Sequence, residues 1–128
     1  MTTSVGNIAI YVTDLERSER FYVDVLGLSV RARITADVVD EVILGAADGV
    51  GSALMLARAK PVAAPVVPSG IWKIFLDTDD VATLFDAAVS AGASAVMAPT
   101  RLEQYRVTIA MVTDPDGYVV EFGHVDAR

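Results

Sequence analysis

The sequence predicts an α+β fold built from two successive βαβββ modules. Three observations carry that prediction. Short β-branched runs alternate with period two, two other segments carry apolar residues at helical spacing, and the order of elements returns later in the chain.

The first strand is "GNIAIYV", Gly6 to Val12. "TDLERSERFYVDVLG" follows as a helix. Leu15, Ser18, Phe21, Tyr22, Val25 and Leu26 form its inner face, Glu16 and Arg20 an i,i+4 pair, and Gly27 its stop. "LSVRARIT", "VVDEVILGA" and "GSALMLAR" are three strands separated by turn formers. "AKPVAAPVVPSG", Ala59 to Gly70, holds three of the five prolines and reads as an extended connector. The order then repeats. "IWKIFLD" is a strand and "DDVATLFDAAVSAG" a helix with Val81, Leu84, Phe85 and Ala88 inward and Gly92 as its stop. "ASAVMA", "YRVTIAMV" and "YVVEFGH" complete the set. The expected organisation is one domain over residues 1–128, with module one at about 5–58, a linker at 59–70 and module two at about 71–124.

Register supports the repeat. Asp14 maps to Asp80, Leu15 to Val81, Val30 to Val96, Asp48 to Asp114, Gly51 to Gly117, Leu54 to Val120 and Leu56 to Phe122, each pair 66 residues apart.

Composition narrows the function. Hydrophobic residues make up 53% of the 128, enough for a core, and the net charge of −7 repels a polyphosphate backbone. Nucleic acid is therefore not an expected partner. Cysteine is absent, which removes disulfides, thiolate metal sites and a cysteine nucleophile. No signal peptide and no membrane-length apolar run is visible, so a soluble cytoplasmic protein is expected.

With these elements in place, "VTDLERSERFYVDVLGL" early and "DPDGYVVEF" late resemble the vicinal oxygen chelate superfamily, which includes glyoxalase I, the bleomycin resistance proteins and the extradiol dioxygenases. The resemblance spans essentially the whole chain, and its motifs are more specific for the fold than for the chemistry. It implies curled mixed sheets, each backed by its helix, around a cleft. It also implies a homodimer, with clefts formed between modules of different subunits.

Metal-dependent members place ligands on the first and last strand of each module. The matching positions are Asn7 and Met55 in module one, and Lys73 and Glu121 in module two. Strand alternation puts these four on one face, with Ile8, Ile10, Leu54, Leu56, Trp72, Ile74, Val120 and Phe122 on the face that packs against the helices. His124, the single histidine, points away from Glu121 by the same parity. An amide, a thioether and an ammonium beside one carboxylate do not make the three or four donors that such a metal takes, so no metal and no other cofactor is expected.

Two readings of the remaining pair stand. Lys73 and Glu121 form a structural ion pair that keeps the cleft floor electroneutral, the favoured reading. Alternatively Glu121 is a general base and Lys73 steadies a developing oxyanion. Parity adds Ala9, Tyr11, Ala53, Ala57, Phe75, Asp77, Val119 and Gly123 to the cleft face. Small residues leave room there, and Tyr11, Met55 and Phe75 supply apolar surface for a small ligand with one or two polar handles. The competing reading is a subunit interface without a ligand. Arg31, Arg33, Arg101 and Arg106 sit where a cleft rim would reach a ligand anion, although solvated ion pairs are the plainer role for each, and "RLEQYR" reads as a mobile lip. "DPDG" reads as a type I hairpin turn, with Pro115 second and Gly117 left-handed.

The candidate catalytic residues are thus Glu121 and Lys73. The candidate ligand-binding residues are Asn7, Tyr11, Met55, Phe75, Asp77, Val119 and Arg106. Three function classes follow: a metal-independent protein that sequesters a small, largely apolar or aromatic molecule; a cofactor-free lyase or isomerase; and a retained metalloenzyme, which the donor set opposes.

Overall fold

Alternation around Ile10 produces the first strand, β1 (Asn7–Tyr11), and the same rule produces β2 (Ser29–Thr35), β3 (Val39–Gly45) and β4 (Ala53–Ala59). The computed structural model describes residues 1–61 and 64–125. Val62 and Ala63, within the expected linker, lie outside the described residues. The chain divides into two units, Met1–Val66 and Val67–Arg128.

In the first unit the strands form one mixed sheet, ordered β1-β4-β3-β2. Between β1 and β2, Asp14 ends the extended chain and accepts a hydrogen bond from the Arg17 amide at 3.0 Å, capping helix α1 (Leu15–Arg20). The next residues, Phe21–Val25, continue as a π-helical turn, which the sequence does not announce. That wider turn buries Phe21 and Tyr22 together, edge to face at 5.3 Å between centroids. Gly27, at φ 84°, ends the run with a left-handed residue. The expected Glu16–Arg20 pair is replaced by a longer-range one, in which Arg58 reaches Glu16 at 2.9 Å and Asp40 at 3.2 Å.

The second unit repeats the plan with β5 (Ile74–Asp77), α2 (Val81–Ser90), β6 (Ala95–Leu102), β7 (Val107–Thr113) and β8 (Val119–Val125), ordered β5-β8-β7-β6. Asp80 caps α2 by accepting from the Thr83 amide at 3.1 Å, as Asp14 does in the first unit. The parallel ladders share their register. Ile8 faces Leu54 and Ile10 faces Leu56, as Ile74 faces Val120 and Leu76 faces Phe122. The hairpin turns correspond as well: Asp48 accepts from the Val50 amide and Asp114 from the Asp116 amide, both at 2.9 Å. Gly117 follows the second turn at φ 95°, as the turn reading requires.

The core of each unit lies between sheet and helix. Ile10, Leu54 and Leu56 are buried on one side, with Leu15, Ser18 and Tyr22 of the helical segment. Ala110, Val112, Val120 and Phe122 are buried in the second unit, with Val81 and Ala88 of α2. Burying a residue such as Phe122 contributes about 1.5–3 kcal/mol.

Several expectations need correction. The strand expected from Ile71 begins only at Ile74, so alternation does not govern Trp72. Trp72, placed in the core by parity, is 77% exposed, and Ile8, on an edge strand, is 57% exposed. The polar stretch from Arg101 starts inside β6, whose Pro99 is tolerated because β6 is an edge strand. Its remainder is a 3₁₀ turn, Glu103–Tyr105, closed by Arg106 in the left-handed region at φ 54°. Among the described residues, no helix is long and apolar enough to cross a membrane.

Candidate functional site

Strand β8 positions the central acid. Val120 and Phe122 turn into the core, so parity sends Glu121 to the opposite, helix-free face. There it stands in one row with Phe75 of β5 and Met111 of β7, and Met97 of the edge strand pairs with Met111. Glu121 is only 5% exposed. A carboxylate so enclosed needs a partner, and Lys73, directly ahead of β5, supplies it with Nζ at 2.7 Å from Oε1. The ammonium also lies 4.1 Å from the centroid of the Trp72 indole. Lys73 is therefore held between a buried carboxylate and an exposed aromatic face.

Phe75, itself 49% exposed, folds its ring onto Gly123. A β-carbon built at Gly123 would sit 2.7 Å from two atoms of that ring. The glycine is therefore a seat for the aromatic, on the same face as Glu121.

The first unit carries the other sequence-selected positions on its own sheet. Asn7 is exposed and opposite Ala53, Met55 is half-buried between Ala9 and Ile43, and Tyr11 is exposed. In the second unit Lys73 and Glu121 are in direct contact, Phe75 adjoins Glu121 in the ladder, and Val119 is half-buried at the start of β8. Asp77 differs from its expected setting: its carboxylate lies 3.5 Å from Nδ1 of His124, although parity assigns the two residues to opposite faces. Both stand near strand ends, where side chains swing around the sheet margin. Arg106 occupies the turn between β6 and β7.

The other arginines are engaged locally. Arg33 donates to Glu19, with Nη2 at 2.9 Å from Oε2, and holds that carboxyl below its ordinary range. Arg31 donates to the carbonyls of Val50 at 2.8 Å and Gly51 at 3.0 Å, closing the loop between β3 and β4. Arg101 pairs with Glu103 at 3.2 Å.

Sequence reasoning put Gly123 on this face without its role as a seat for Phe75, and it missed Trp72 and the two methionines in the Glu121 row. The signal for Trp72 was present but misread, because parity was extended past the first residue of the strand.

The donor chemistry of the four ligand-equivalent positions does not fit a divalent ion. Asn7 offers a weak amide oxygen, Met55 a soft sulfur and Lys73 an ammonium, and the one carboxylate is already bonded to that ammonium. Among the described residues, no three side chains of His, Cys, Asp or Glu come together.

The chain belongs to the glyoxalase/bleomycin resistance protein/dioxygenase superfamily, whose model matches residues 4–122. No curated protein sequence matches it. Solved structures share the fold. A V278E variant of glyoxalase I from Zea mays superposes with a TM-score of 0.82 at 22% identity, over 95% of this chain. The chain spans 45% of that maize protein. TnmS3, an antibiotic-binding protein from Streptomyces sp. CB03234, gives 0.77 at 22% identity, covering 98% of both chains. The trypanothione-dependent glyoxalase I of Leishmania major gives 0.77 at 25% identity, covering 94% of this chain and 86% of that one. The family thus includes ligand-binding proteins as well as enzymes, and the fold alone does not choose between them.

Proposed function

We propose that this chain is a metal-independent small-molecule-binding protein of the glyoxalase/bleomycin resistance type, sequestering a small, largely apolar or aromatic ligand. One observation carries the proposal. At the positions where relatives hold an ion, the only carboxylate is neutralised from within the chain, by Lys73 at 2.7 Å. On the helix-free face of the same unit stand Phe75, Met97 and Met111, surface suited to an apolar guest, and the first unit presents Tyr11 and Met55 on its own sheet. The likeness to an antibiotic-binding protein over nearly the full length of both chains agrees with this reading. A homodimer in the cytoplasm completes the reading.

Metal analysis of the purified protein is the first test. A stoichiometric divalent ion that a chelator removes would reject the proposal. A thermal-shift screen of a metabolite library, with product analysis of each hit, is the second. A ligand recovered unchanged supports sequestration.

A second reading rests on the enclosure of Glu121, a carboxylate only 5% exposed with Lys73 at its Oε1, the setting of a group that takes a substrate proton. In this reading the chain is a cofactor-free lyase or isomerase with Glu121 as base and Lys73 as electrostatic partner. A hit returned as product, with turnover lost and affinity kept in Glu121→Gln, would select it.

A further inference from the structure

We infer that Trp72 and Lys73 form a recognition element for planar aromatic ligands bearing an uncharged carbonyl oxygen. The inference deepens the binding reading above and rests on it. The indole is 77% exposed although it is the largest apolar side chain available, and its contact with the Lys73 ammonium fixes it beside the buried acid.

The two contacts of that ammonium are unequal. Its bond to Glu121 neutralises an enclosed carboxylate, which would be costly to leave alone. Its approach to an exposed indole is the weaker and more exchangeable contact. A flat aromatic ring can therefore take the ammonium's place over Trp72 while Lys73 stays bonded to Glu121. The displaced ammonium has three N–H donors, of which Glu121 needs one.

Charge then selects the ligand's polar group. Lys73 and Glu121 together are neutral, so an added anion would be placed close to the carboxylate and an added cation close to the ammonium. An uncharged acceptor meets neither penalty and receives a free N–H. Phe75, seated on Gly123 and paired with Glu121 in the ladder, adds a half-exposed ring on the strand beside the ion pair's carboxylate.

Trp72 is the sole tryptophan, so its indole N–H gives one cross-peak in a nitrogen-correlated NMR spectrum of the intact protein. The probes are 1-acetylnaphthalene, 1-naphthoate and 1-naphthylmethylammonium, which share a ring and differ in charge. The expected result is a saturable shift of that cross-peak, with 1-acetylnaphthalene binding about tenfold tighter than either charged analogue. Trp72→Ala, at an exposed position, should weaken 1-acetylnaphthalene by about tenfold, read from the Gly123 amide. Lys73→Met combined with Glu121→Gln, which removes both charges at once, should abolish the preference among the three.

Equal or tighter binding of a charged analogue, or unchanged affinity in Trp72→Ala, overturns the inference. So does a sedimentation difference showing that Trp72 is covered by a second copy of the chain. A library ligand that binds without moving the indole signal sinks this inference alone. If no library member and none of the three probes binds saturably, the sequestration reading falls with it.

Discussion

Removing the ammonium from Lys73 should be more damaging than removing the charge from Glu121, and the structure gives the reason. The Glu121 side chain is 7% exposed and that of Lys73 25% exposed, so the carboxylate is the partner with less access to water. Breaking a buried ion pair by deleting one member costs about 3–5 kcal/mol. Because one side of this pair is partly wet, Lys73→Met should fall at or just below the bottom of that range, at about 2–3 kcal/mol. Glu121→Gln preserves shape and leaves the ammonium its indole contact and some water, so about 1–2 kcal/mol is expected. The double variant buries no charge and should cost about 1 kcal/mol or less. Urea unfolding followed by circular dichroism measures all three, provided the denaturant slope is unchanged. Single losses that simply add to give the double, or a Lys73→Met cost under about 0.5 kcal/mol, would refute the claim that this pair is coupled.

Three further outcomes follow from the same structure. Gly123→Ala must displace the half-exposed Phe75 ring that lies 2.7 Å from the new β-carbon, at a cost of about 1–2 kcal/mol in urea unfolding, and Phe75→Ala in the same chain should relieve it. Asp80→Ala removes the cap of α2. Hydrogen bonds from Thr83 hold the Asp80 carboxyl below its ordinary value of 3.8 in the folded protein, so its stabilisation is present above that value and is lost as pH falls through the lower folded-state value. The stability gap between wild type and Asp80→Ala should therefore close in acid melts, and a gap that widens there would contradict the assignment. Arg31→Ala frees the carbonyls of Val50 and Gly51 and should speed amide hydrogen exchange across the loop between β3 and β4, while exchange in β8 stays unchanged.

Much of the fold was legible because two local signals are strong in this chain. Asp14 and Asp80 each stand before a helical pattern, and Gly27 and Gly92 each end one, so both helices could be bracketed from their caps. The repeat made each module evidence for the other, and the equal registers of Ile8 with Leu54 and Ile74 with Val120 show why: one backbone plan serves both. Parity likewise placed Val120 and Phe122 inward and Glu121 on the other face. It failed at Trp72, two residues before the ladder, although it had set Lys73 on the face of Glu121. Lys73 and Trp72 precede β5, where no hydrogen-bonded neighbour holds the pleat, and side-chain direction is set by contacts rather than by alternation. The π-helical turn after Arg20 was equally silent, since a 3.6-residue pattern and one wider turn share the same apolar stripe. Arg58 illustrates a third limit. Its partners Glu16 and Asp40 are far apart in sequence, and only folding brings them to one side chain.

What the sequence determined by itself was periodicity and inventory. Alternation, capping residues and the duplicated order specify two βαβββ modules, and a chain without cysteine and with a single histidine has few donors for a metal. Those properties are local or compositional, so they survive without a structure. Tertiary structure decided who meets whom: that Glu121 is enclosed, that the ammonium of Lys73 closes on it at 2.7 Å, and that the tryptophan beside it faces solvent. The reason is physical. The ion pair depends on a distance of a few ångströms between residues that the chain keeps 48 apart, Lys73 and Glu121, and the exposure of the neighbouring indole depends on what packs around it; no pattern along the chain encodes such distances.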